Sequence, residues 1–172
     1  QLIAEANAVS LGLLALGVQP GDKIATIANN RPEWNFTDIG ILQIGAIHVP
    51  IYPTITDEDY TYILNHAEVK VILISSQELY DRISKIAANI NSVQHIFTYN
   101  QVKGAKHWSE LKKAGENGDV QSIKALGDQV KSTDLATIIY TSGTTGPPKA
   151  VMLSHEAIAW TVRTGVDLMS IG

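Results

Sequence analysis

The chain has 172 residues, 45% apolar and 17% charged, and its 13 basic and 17 acidic side chains leave a net charge of −4. That balance excludes an intrinsically disordered polymer and offers no basic surplus to hold nucleic acid. There is no cysteine, which removes disulfides, thiolate metal sites and a cysteine nucleophile and fits a cytoplasmic setting.

In chain order, residues 2–16 place Leu2, Ile3, Ala6, Val9, Leu13 and Leu16 near helical spacing, and Gly17 stops the helix before the turn Gln19-Pro20-Gly21-Asp22. A strand is expected at Lys23–Ala28. Pro32 opens a helix through Gln43, and Ala46–Ile51 forms a second strand interrupted by Pro50. A helix over Asp57–Asn65 precedes the strongly apolar strand Val69–Ile74. A helix over Gln77–Asn89 then precedes a strand over Val93–Tyr99. Short apolar strands alternating with helices predict an α/β fold, a mainly parallel sheet or sheets flanked by helices. Residues 1–100 thus read as βα units. Residues 101–133 carry six lysines and four glycines and read as a polar, solvated connecting segment with weak helices near Trp108–Ala114 and Asp119–Leu126, leading from one sheet to the next. Residues 134–172 read as strand (Leu135–Tyr140), loop, short strand (Val151–Leu153) and a helix N-capped by Ser154 with Glu156 near its positive end.

The loop Thr141-Ser142-Gly143-Thr144-Thr145-Gly146-Pro147-Pro148-Lys149 is the most unusual stretch, with four hydroxyls, two glycines, two prolines and a lysine in nine residues. Glycines allow close backbone approach, successive N–H groups form an anion-binding concavity, and hydroxyls and the ammonium add donors. Together these read as a phosphate cradle. It is not a Walker A loop: Pro148 stands where the second glycine belongs, Ala150 where a metal-binding Ser or Thr belongs, and a strand follows instead of a helix.

Tyr140–His155, YTSGTTGPPKAVMLSH, resembles the signature phosphate loop of the AMP-forming acyl-CoA synthetase superfamily. Ala150 departs from the glycine usual there. Residues Gly17–Ala25, Asn29–Trp34, Ile47–Thr54 and Asp134–Tyr140 extend the likeness, and Asn29-Asn30-Arg31-Pro32-Glu33-Trp34 with Ile47-His48-Val49-Pro50-Ile51-Tyr52-Pro53-Thr54 resembles most the long-chain fatty acid–CoA ligase branch. The resemblance implies the N-terminal part of an AMP-binding domain. Its reaction activates a carboxylate with ATP and Mg2+ as acyl-adenylate and passes the acyl group to coenzyme A. It also implies that Thr141, Ser142, Gly143, Thr144, Thr145, Gly146 and Lys149 contact the nucleotide phosphates. No catalytic residue and no metal ligand is assigned within these residues, because the family's later motifs are not among them. The chain is therefore expected to be a fragment that is inactive alone, lacking a C-terminal part of its own chain. Two alternatives stay open: a non-catalytic nucleotide-binding module, and another adenylate-forming enzyme such as a peptide-synthetase adenylation domain.

Outside the loop the expectations are plain. His48 is a satisfied core histidine, and His66, His95 and His107 receive no role. Asp57-Glu58-Asp59 is a charged first helical turn, and Pro32 and Trp34 set and pack a helix start. Trp160 is expected to pack against chain not present here. An apolar surface around the last helix and the Leu135–Tyr140 strand is expected to promote self-association. No 18-residue apolar run or signal-peptide pattern occurs, so the expected setting is cytoplasmic, with a fatty substrate making peripheral membrane contact plausible.

Overall fold

The structure is a computed structural model, and it describes residues 1–141 and 146–169. Seven helices and seven strands lie among them, alternating from α1 to β4. They are α1 (Leu2–Ala15), β1 (Lys23–Ile27), α2 (Pro32–Leu42), β2 (Ile47–Ile51), α3 (Asp57–His66), β3 (Val69–Ile74), α4 (Gln77–Ala87), β4 (His95–Thr98), β5 (Lys106–His107), α5 (Trp108–Ala114), α6 (Val120–Gly127), β6 (Leu135–Thr141), β7 (Lys149–Ser154) and α7 (His155–Met169).

The strands form a single sheet in the order β5-β4-β3-β1-β2-β6-β7. Every pairing is parallel except β6 with β7, which is antiparallel. Alternation along the strands divides the core in two. Ala25, Ile27, Val49, Ile72 and Ile74 face α3 and α4, where Tyr60, Ile63, Leu64 and Ile83 cover them. Ile24, Val71, Leu73 and Phe97 face α1, α2, α5 and α6, meeting Val9, Leu13, Ile41, Trp108, Leu111 and Ile123. Each fully buried Leu or Ile contributes about 1.5–3 kcal/mol to this three-layer arrangement.

The helix starts follow local chemistry. Pro32 sits in the first turn of α2, where its missing N–H costs nothing. Thr56 and Ser76 accept from Asp59 N–H and Leu79 N–H to cap α3 and α4. His107 and Glu110 form a capping box on α5, and Ser154 Oγ accepts from Ala157 N–H at 3.2 Å.

Three expectations need correction. Residues 101–133 do not lead to a second sheet, because β6 returns to pair with β2 in the same one. Nor is that segment merely solvated: β5 adds an edge strand, and Trp108, Leu111 and Ile123 are buried. Second, Leu135–Tyr140 is not an exposed apolar strand. Ala136, Thr137, Ile138 and Tyr140 are buried, and the exposed apolar residues lie on β7 and α7, with Met152 at 70% and Trp160 at 68% exposure. Third, Pro50 does not interrupt β2, which runs through it paired with Thr26 of β1.

The α1–α5 crossing is tight enough to test. A Cβ at Gly12 would overlap the Leu111 carbonyl, whereas one at Gly165 in α7 meets nothing within 4 Å. Gly12→Ala is expected to cost about 2–3 kcal/mol of stability, and Gly165→Ala to be neutral or stabilising by up to about 1 kcal/mol. Urea denaturation of the two variants measures both.

Candidate functional site

The loop between β6 and β7 lies at the carboxyl ends of the parallel strands. Both arms are described: β6 ends at Thr141, β7 begins at Lys149, and the two residues pair across the hairpin, as Tyr140 pairs with Ala150. Gly146 has φ 94°, a left-handed conformation that suits glycine. Ala150 lies in a regular strand without positive φ, so the alanine that replaces the family's glycine is not strained. Thr141, Gly146 and Lys149 are exposed, and Lys149 makes no ion pair with any described residue. Ser142, Gly143, Thr144 and Thr145 lie outside the described residues.

Two clefts flank this hairpin. One, of about 250 Å³, runs between the loop arms and α3 and is lined by Tyr52, Ile55, Asp59, Ile63, Ile139, Tyr140, Thr141 and Pro148. The other, of about 680 Å³, opens over the ends of β1 and β2. It is lined by Ala28, Asn29, Asn30, Trp34, residues 50–53 and Ile139. Tyr52, 71% exposed, stands on both walls, and its carbonyl accepts from Tyr60 Oη at 3.0 Å. The opening has a visible cause. His48–Thr137 is the one register pair between β2 and β6 among the described residues, and Pro50 beyond it has no N–H to donate.

Beneath the larger cleft lies a buried polar line. His48 is 1% exposed; its Nε2 lies 2.8 Å from Thr26 Oγ1 and its Nδ1 2.7 Å from Asp38 Oδ1. Thr137 Oγ1 donates to the His48 carbonyl at 2.8 Å, and the Trp34 ring packs 5.0 Å from the imidazole. The expected core histidine is therefore present, with a carboxylate partner that the sequence did not disclose. The Asp–His–hydroxyl order has the form of a nucleophile-activating set, but Thr26 is wholly buried and no substrate reaches it.

Arg31 and Asp57, near helix starts, have their own partners. Arg31 makes a two-pronged ion pair with Glu33 (2.9 and 3.0 Å), donates to Asn100 at 3.1 Å and lies over the Tyr99 ring. The Arg31 guanidinium holds the Glu33 carboxyl below its usual range. Asp57 opens α3 and pairs with Arg82. His155 starts α7 at the end of β7 remote from the loop, six strand residues from Lys149 or about 17–20 Å. Its Nε2 is buried without a partner among the described residues. His66, to which no role was given, shares a 2.7 Å hydrogen bond with Tyr140 Oη. Among the described residues no cluster of three His, Cys, Asp or Glu could hold a metal ion.

The chain is similar to several known proteins. The family model described as "AMP-binding enzyme" matches residues 1–170. A long-chain-fatty-acid–CoA ligase of Mycobacterium bovis is 31% identical over 91% of this chain and 26% of its own length. One of Rattus norvegicus is 32% identical over 93% of this chain and 23% of its own length. The crystal structure of an anthranilate CoA ligase in complex with anthranoyl-AMP superposes with a TM-score of 0.78 at 26% identity, over 95% of this chain and 30% of that one. The chain thus spans about a quarter of the length of the curated relatives it matches.

Burial pushes the Tyr60 and Tyr140 hydroxyls up to about 12, and Tyr99 higher still. All three stay protonated in folded and unfolded chains below pH 10. Between pH 10 and about 12 the unfolded chain ionises while the folded one does not, so stability falls through that window. Tyrosinate absorbance at 295 nm is expected to show these three of the six tyrosines ionising late, together with unfolding. Six tyrosines titrating near pH 10 in a folded chain would contradict the assignment.

Proposed function

The chain belongs to the AMP-binding enzyme family, and from that premise we propose that the full-length protein is an ATP-dependent acid–thiol ligase of the long-chain fatty acid type. The observation that carries the proposal is the exposed Lys149, without an ion-pair partner among the described residues, set opposite Thr141 at the mouth of the β6–β7 loop, beside an open cleft at the carboxyl ends of the strands. The two fatty-acid ligases at 31% and 32% identity support the choice of acid.

In the first half-reaction a carboxylate oxygen attacks the α-phosphorus of ATP, giving an acyl-adenylate and pyrophosphate. In the second, the thiol of coenzyme A attacks the acyl carbonyl and AMP leaves. Thr141, Ser142, Gly143, Thr144, Thr145, Gly146 and Lys149 hold the β- and γ-phosphates. Lys149 neutralises charge that grows on the departing pyrophosphate, the loop amides and hydroxyls donate to its oxygens, and Gly146 lets the backbone turn in toward them. Mg2+ would reach the site as the counter-ion of ATP and screen the same phosphates. The described residues offer it no carboxylate cluster of their own, and no step is assigned to it.

The 172 residues are proposed to be inactive alone, because the thiol and acyl half of the chemistry needs groups they do not carry. Val151, Met152, Trp160, Val162 and Val166 are exposed apolar residues on β7 and α7. Further chain of the full-length protein covers part of this apolar surface, and in its absence the surface promotes self-association. No described helix is long and apolar enough to cross a membrane. We place the protein in the cytoplasm, with peripheral membrane contact where it meets fatty acid.

ATP–pyrophosphate exchange by the full-length protein tests the reading, with carboxylates from acetate to palmitate. Exchange dependent on a long-chain acid is expected, and Lys149→Ala is expected to lower it by about 10²-fold or more. Activation by amino acids would assign a peptide-synthetase chemistry instead, and no exchange with any acid would leave only a nucleotide-binding loop.

A further inference from the structure

The strand that delivers the loop is held from the side by a residue distant in sequence. Tyr140, the penultimate residue of β6, is buried apart from an edge, and its hydroxyl has one described partner, His66 Nδ1 at 2.7 Å. His66 is the last residue of α3 and is largely exposed, so its pose needs a support. Tyr62, one helical turn earlier, provides it: the Tyr62 ring stacks on the imidazole at 5.2 Å and 23° and meets the Tyr140 ring edge-on at 6.4 Å. Imidazole and phenol are themselves perpendicular, at 5.8 Å and 90°. Three rings and one hydrogen bond therefore tie the end of α3 to the residue next to Thr141.

The tie acts on both arms of the hairpin. Tyr140 pairs with Ala150 and Thr141 with Lys149. A lateral restraint on Tyr140 thus sets where Thr141 ends one arm and where Lys149 begins the other. We infer that His66 is a positioning residue for the β6–β7 loop: through Tyr140 it fixes the strand pair from which Thr141 and Lys149 are presented. The inference rests on the reading of that loop as the phosphate cradle. It adds that the seating of the cradle depends on α3, an element contributing none of the loop's own residues.

Amide hydrogen exchange of the full-length protein tests this without nucleotide, so its outcome is independent of whether the loop binds phosphate. Wild type is compared with Tyr140→Phe, His66→Leu and His66→Asn; asparagine can place its amide near the Nδ1 position. Tyr140→Phe and His66→Leu are expected to lower protection at residues 139–141 and 149–151 by about tenfold. Protection in β1 and β3 should stay unchanged, and His66→Asn should recover most of the loss. Unchanged protection at the hairpin would overturn the inference. So would a uniform loss across the whole sheet, or a loss that His66→Asn does not relieve, since either would make His66 a contributor to general stability only.

Discussion

The β2–β6 junction is the constraint on which the rest depends. The hairpin that carries the loop joins the parallel sheet only through β2, and the register pair there is His48 with Thr137. His48 is satisfied at every polar atom that faces the interior: Thr26 on one nitrogen, Asp38 on the other, and the Thr137 hydroxyl on its carbonyl. A hydrogen bond of this kind adds only about 1 kcal/mol net, but a buried group left unpaired costs about 1–3 kcal/mol. The network therefore acts mainly by specificity. Sliding β6 along β2 would strand the Thr137 hydroxyl, which is buried, and leave the His48 carbonyl without it. The loop's position relative to β1 and β2 follows from that register.

Sheet topology explains why the open cleft lies where it does. The chain leaves β1 toward β2 on one side and β3 toward β4 on the other, so direction reverses between β1 and β3. In open α/β sheets ligands favour the crevice at such a switch. Here Arg31 follows β1 and reaches Asn100 beyond β4, bridging over the end of β3 while Glu33 and the Tyr99 ring hold its guanidinium. These contacts bridge the switch crevice. The space left open is one strand over, above β1 and β2 and beside the hairpin, where Pro50 leaves β2 without a donor.

Much of this was legible in the sequence because its signals are local. Pro32, Thr56 and Ser76 mark helix starts by their own chemistry, and the run Val69–Ile74 reads as buried from its composition. The loop stood out by its density of hydroxyls and glycines. What escaped was non-local or short. The two residues of β5 carry no periodicity, and Trp108, Leu111 and Ile123 sit among lysines that mask their burial. Asp38 meets His48 across ten residues and His66 meets Tyr140 across 74. Neither spacing follows a helix or strand period, so only the folded topology brings the partners together.

We propose that the hairpin seated by this junction binds phosphate through Thr141, Gly146 and Lys149. A backbone-amide NMR titration of the 172-residue chain with tripolyphosphate tests it most directly. Saturable shifts concentrated on the amides of Thr141, Gly146 and Lys149, lost in Lys149→Ala, are expected. Shifts centred instead on other cationic surface, such as Lys112 and Lys113 or Lys124 and Lys131, would contradict it.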